Sequence, residues 1–268
     1  FLRNKENRMQ NKMQDIINVS DINDPQIKEF ISLRKSQVEE NQVVVESKNV
    51  FKKLFSANIK IHKVFTTIEH LDFLEQNCKN INFPIYTANN ELMKDIVGHK
   101  IHQGMLALID KPKYISFDEI EGNVVVLNGL TSPENVGSIV RSCAAFNIST
   151  LIIDEKTCSP FIRRCIRVST GNLFNIKVYK TNTLKDDLIK LQSLDYKVLT
   201  TANHETAVSL HEFTFPAKSA VVIGSEGFGA QQEIIDLSDN ILRIDISEEV
   251  TSLNAAIAAS IVFFRMSS

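Results

Sequence analysis

The chain has 268 residues, 43% of them hydrophobic and 23% charged, and a formal net charge of −2. It is an ordinary globular composition with room for two modest domains, and a balance this close to neutral excludes a protein that binds nucleic acid over its whole surface, leaving only local patches for that role. No apolar run reaches the roughly 18 residues of a membrane span, so no membrane partner is expected.

The four cysteines, Cys78, Cys143, Cys158 and Cys165, lack the paired spacing of metal ligands. They read as reduced thiols of a cytoplasmic protein, Cys143 as core filler, with no metal expected. The opening FLRNKENRMQNKMQ has no apolar signal core, and residues 1–20 read as a tail with Met9 or Met13 as candidate starts.

Asp24 and Pro25 precede a helix expected over residues 26–35, with Ile27, Phe30, Ile31 and Arg34 at helical spacing. QVVVE at 42–46 is a strand, followed by a basic amphipathic helix over 47–56 in which Val50, Phe51, Leu54 and Phe55 repeat at three and four. Strands at 59–67, 83–88 and 102–110 alternate with helices at 70–78 and 89–96. Residues 21–111 thus read as a small α/β domain, and 112–121, opening on Pro112, as a linker. Lys48, Lys52 and Lys53, with Lys60 and Lys63, are either phosphate ligands or a solvated face.

Residues 122–268 form the second domain. Val124 to Leu127 is the continuous apolar run of a strand buried on both faces. Ser132, Pro133 and Glu134 then spell a helix start: a cap, a first-turn proline and an acid at the positive end of the dipole. Val136, Ile139, Val140, Cys143 and Phe146 share one arc of that helix, while Asn135 and Arg141 lie on the opposite one. Taken alone, Arg141 reads as a solvated arginine. Further strands are expected at 151–154, 175–180, 197–202, 220–224 and 241–246, with helices at 184–194, at 230–237 and at the end of the chain. Strand alternating with helix gives an α/β fold with a mainly parallel sheet covered on both faces, whose ligands bind at the carboxyl ends of the strands.

Three segments carry a family resemblance. Asn135-Val-Gly137-Ser-Ile-Val-Arg141, then Ile223-Gly224-Ser-Glu226-Gly227-Phe-Gly229, then Ser252-Leu253-Asn254 resemble, in order, the three motifs of the SpoU (TrmH-type) branch of the SPOUT RNA methyltransferases. VVVESKNVFKKLF and HQGMLALI are similar to the substrate-binding domain that often precedes that catalytic domain. The resemblance implies a carboxyl-terminal trefoil knot, a homodimer, and S-adenosylmethionine bound largely through main chain at Gly224, Gly229, Ile244 and Leu253, with Ala202 and Asn203 closing the adenine side. It implies methyl transfer to a ribose 2′-hydroxyl of ribosomal or transfer RNA, with Arg141, Asn135, Glu226, Ser252 and Asn254 as the catalytic set. RNA contacts are expected from Lys48, Lys52 and Lys53 and from Arg163, Arg164 and Arg167, the arginines being equally suited to surface ion pairs. The chain departs from the family where Ser47 and Asn147 replace glycine and Ser225 replaces asparagine.

Two other functional classes bear on the same residues. A catalytically silent RNA-binding protein could keep the same fold. A nucleotide-dependent oxidoreductase lacks its fingerprint, since the glycines run G-x-x-G-x-G with no ribose-binding acid at the right distance.

Overall fold

A computed structural model describes residues 16–31, 33, 38–57, 59–78, 80–98, 104–225 and 227–267. It divides after Pro112 into two units.

The first unit is a five-stranded sheet in the order β1-β4-β3-β5-β2, made of β1 (Ile16–Asn18), β2 (Gln42–Glu46), β3 (Ile61–Thr67), β4 (Ile85–Ala88) and β5 (Met105–Asp110). Strands β1, β4 and β3 run parallel, while β5 is antiparallel to β3 and to β2. Residues 16–18, expected in the tail, form its edge, Ile16 pairing with Ile85. The rest of that tail, residues 1–15 with Met9 and Met13, lies outside the described residues. Of the helix expected over 26–35, the described part is a 3-10 stretch, Pro25–Phe30, kinked at Ile27: Asp24 caps it by accepting from Gln26 N, and Ile31 is already extended, while residues 32, 34 and 35 lie outside the described residues. Phe30 and Ile27 are buried by it, and Phe30 packs on Phe65 at 5.6 Å between ring centroids.

Helices α1 (Lys48–Ser56), α2 (Leu71–Asn77) and α3 (Asn90–Val97) complete this unit. Ser47 caps α1 from φ +90°, with its Oγ accepting from Val50 N at 3.5 Å. Asn147, in the second unit, sits at φ +57°. Both positions where the chain departs from a family glycine therefore hold the left-handed backbone that glycine adopts freely.

The second unit is a seven-stranded sheet, all parallel, in the order β10-β12-β9-β11-β6-β7-β8. Its strands are β6 (Val124–Asn128), β7 (Thr150–Ile153), β8 (Lys177–Lys180), β9 (Lys197–Thr201), β10 (Val208–Ser209), β11 (Ser219–Gly224) and β12 (Asn240–Arg243). The helices are α4 (Pro133–Ala145), α5 (Arg163–Val168), α6 (Leu184–Ser193), α7 (Gln232–Leu237) and α8 (Ala255–Met266). Leu184, Leu188 and Leu191 of α6 and Ile234 of α7 bury one face, against Val124, Val126, Val198 and Val222. The seam between α4 and α8 is marked by Ser142 Oγ at 2.7 Å from Ser260 Oγ and by Phe146 against Phe264.

Residues 113–121 are part of this unit and not a linker. Ile115 N donates to Val178 O at 2.9 Å, Phe117 meets Tyr179 edge-on, and the Lys190 ammonium stands 3.8 Å from the centre of the Phe117 ring. Strand β12 stops at Arg243, short of the expected 246, because Asp245 turns its carboxylate back onto Ser209 Oγ and Arg243 Nε.

Candidate active site

The ends of β9, β11 and β12 release three loops on one side of the sheet. These loops enclose a cavity of about 940 Å³. Ala202, Asn203, Gly224, Gly229, Ile244 and Leu253, the six positions expected to hold a donor, all line it, and so does Ser252.

Gly224 is fixed by sterics. A Cβ there would lie 2.1 Å from Ala230 N and 2.2 Å from Gly229 C, so the chain folds back directly over the end of β11. The fold-back is closed by Ser225 N to Gly229 O at 3.0 Å and Gly229 N to Ser225 O at 2.8 Å, with Gly229 at φ +69°. Glu226, between them, lies outside the described residues.

A buried polar network that sequence reasoning missed anchors the same loop. Asn128, at the end of β6, accepts from Gln231 N at 2.8 Å and donates through Nδ2 to Asp154 Oδ2 at 2.9 Å and to Gln231 Oε1 at 3.0 Å. Asp154 also accepts from Gly129 N, Thr157 N and Thr157 Oγ1. Polar groups this buried are costly unless paired. The available signal was an amide closing the apolar run of β6 and a carboxylate directly after β7.

Asn254 caps α8 by accepting from Ala256 N and Ile257 N, and its Nδ2 donates to Asn135 Oδ1 at 3.0 Å. The first and third motifs are thereby joined. Arg141 is not brought to the cavity within one chain: it is exposed on α4 and absent from the cavity wall. The charged residues that do line the wall are Arg243, Asp245 and Glu248. The Ser209 hydroxyl, and after it Arg243, hold the Asp245 carboxyl below the usual carboxylate range. A lowered folded-state value keeps Asp245 ionised until pH falls through it, and its charge is met by Arg243 Nε at 3.0 Å.

Among the expected RNA contacts, Lys52 and Lys53 are exposed on α1, while Lys48 stands over the Phe73 ring at 5.7 Å. Lys63 is committed elsewhere, bonded to Glu29 at 2.9 Å and to Gln26 O at 2.8 Å, and so serves the fold. Arg164 pairs with Glu134 at the start of α4, and Arg167 is exposed. Cys143 is buried and its thiol pushed up by burial. Among the described residues no group of His, Cys, Asp and Glu is arranged to hold a metal, and no helix is long and apolar enough to cross a membrane.

The sequence profile of the SpoU rRNA methylase family matches residues 122–264, the whole span of the cavity and its network. The chain belongs to this family. An uncharacterized tRNA/rRNA methyltransferase of Mycobacterium tuberculosis is 25% identical over 262 residues, covering 93% of this chain and 91% of that one. The AdoMet-bound rRNA methyltransferase of Sinorhizobium meliloti superposes with a TM-score of 0.79 at 22% identity, over 94% of this chain and 97% of the other. An RNA 2′-O ribose methyltransferase superposes at 0.75 and 21%, over 94% and 97%. At these identities the two structures share the SpoU fold with this chain. The likeness runs through both units.

Proposed function

We propose that the protein transfers a methyl group from S-adenosylmethionine to a ribose 2′-hydroxyl of ribosomal or transfer RNA in the cytoplasm. The observation that carries the reading is the convergence of Ala202, Asn203, Gly224, Gly229, Ile244 and Leu253 on one cavity. The fit to the donor rests on the cavity wall that the loop after β11 makes by folding back on Gly224, and on the Glu248 carboxylate beside the Arg243–Asp245 ion pair. When bound, the donor supplies an electrophilic methyl group on a sulfonium.

The residues of the chain have to do the rest. A ribose hydroxyl is a weak nucleophile near neutral pH and must be oriented while its proton departs. Ser252, on the cavity wall, and Asn135 with Asn254, joined to each other between the first and third motifs, hold the ribose in this reading. Arg141 stabilises the developing alkoxide or the neighbouring phosphate, a role that suits a guanidinium whose pKa, above about 12, makes it a poor base. Arg141 reaches the cavity from a second copy of the chain, an arrangement supported by the exposed stripe of Ile257, Ile261 and Phe264 on α8. The family resemblance gives Glu226 the part of a partner to Arg141 or to an amide. The first unit is the RNA-binding domain, Lys52 and Lys53 supplying phosphate contacts with Arg167, and the family's trefoil knot belongs to the same reading.

The test is Arg141→Ala. Methyl transfer is expected to fall at least about a hundredfold, the loss that removal of one transition-state donor brings, with the circular dichroism spectrum and donor affinity unchanged; full activity would refute the role. The competing reading, an RNA-binding protein without transfer, is favoured by the distance of Arg141 from the cavity within one chain. It requires that calorimetry detect no donor binding at millimolar concentration.

A further inference from the structure

Phe228 is 97% exposed, whereas the other exposed large apolar residues of the described chain lie between 36% and 59%. It stands on a turn held shut: the two backbone bonds between Ser225 and Gly229 close the base, and Phe228 N donates to Ser225 Oγ at 3.3 Å. Ser225 and Gly229 themselves line the cavity. A turn closed at its base therefore displays a bare aromatic ring beside the cavity, although burying such a side chain is worth about 1.5–3 kcal/mol.

We propose that Phe228 is the stacking platform for a nucleobase of the RNA substrate beside the methylated ribose. The proposal rests on the function proposed above. Among the described residues the cavity wall contains no aromatic side chain, so a base next to the reacting ribose finds no ring there to stack on. Phe228 supplies one outside, on the loop that forms the wall. It is separate from the Ile257, Ile261 and Phe264 stripe, which repeats at helical spacing along α8 as an interface between copies does. A ring with no hydrogen-bonding group recognises the face of a base and not its edge. Phe228 thus contributes affinity and position, while base identity is read elsewhere.

The chain contains no tryptophan, so Phe228→Trp installs a single fluorophore at the rim. The probe is total RNA from cells deleted for the gene, which carries the unmodified target. Stacking predicts that Phe228→Trp stays active and that its emission is quenched as this RNA is added. Phe228→Ala is expected to raise the KM for this RNA about tenfold, as loss of one stacked base does, with kcat within twofold and the dissociation constant for S-adenosylmethionine unchanged. Phe228→Leu, which keeps the apolar bulk without the ring, should behave as Phe228→Ala.

An unaltered KM in Phe228→Ala, or emission indifferent to RNA, overturns the proposal. So does a blue shift that grows with protein concentration in the absence of RNA, which would place the ring against a second copy. Failure of the wild-type protein to bind the donor or transfer methyl overturns the function instead, and the quenching experiment registers RNA stacking independently of it.

Discussion

Gly224 ends β11 at a point where the chain has no room for a side chain, and its neighbours Gly227 and Gly229 show why each glycine must be judged separately. A Cβ at 224 meets backbone at 2.1 Å, whereas one at 227 meets nothing within 4 Å. Gly224→Ala is accordingly expected to displace the loop over the cavity and weaken S-adenosylmethionine binding at least tenfold by calorimetry, while Gly227→Ala binds normally. Equal affinities in the two variants would contradict the backbone account of the cavity. At this scale the motif resemblance picked out six main-chain positions that the structure brings to one cavity. It was silent on Asn128, Asp154 and Gln231, whose partners lie far away along the chain, Gln231 being 103 residues from Asn128. Their role appears only when β6 and β11 are seen to be neighbours.

Helices α4 and α5 meet at Gly137, where an added Cβ would lie 2.7 Å from Val168 Cβ and 2.9 Å from Cys165 O. The nearest obstruction includes backbone, so little can give way. Gly137→Ala should cost about 1–3 kcal/mol of stability, the usual range for overpacking, read as a lower denaturant midpoint; an unchanged midpoint would show that the helices can separate. On α8, Ile257, Ile261 and Phe264 face outward at 55%, 36% and 59% exposure. If this stripe joins two copies, Ile261→Glu should convert a dimer to a monomer in light scattering and lower activity with it, since Arg141 then loses the cavity it serves. A monomeric wild type, or an active monomeric variant, would contradict that arrangement. The elements legible in advance were those with strong local signatures: the apolar run of β6, the Ser132-Pro133-Glu134 start of α4 and the amphipathic α1. Strands β1 and β10, of three and two residues, carry too few side chains to show a period, and depend on pairing with β4 and β12.

Across the whole molecule, the expected parallel sheet is present, yet its strand order could not be read from pattern. The central pair β6 and β11 is separated by the 90 residues between Asn128 and Ser219 (129 to 218), and only topology sets Gly224 beside Asn128. That pairing brings the first and second motifs to one sheet edge, while the Asn135 to Asn254 hydrogen bond brings in the third. The boundary after Pro112 likewise falls earlier than composition suggested, because Ile115 and Phe117 are bound into the second unit by β8. The account joins one cavity, one donor and one hydroxyl, and the direct test follows the methyl group. RNA from cells deleted for the gene is incubated with the purified protein and isotopically labelled S-adenosylmethionine, digested to nucleosides and analysed by mass spectrometry. The account predicts label in a 2′-O-methylated ribonucleoside; label on a base, or none in RNA at all, would contradict it.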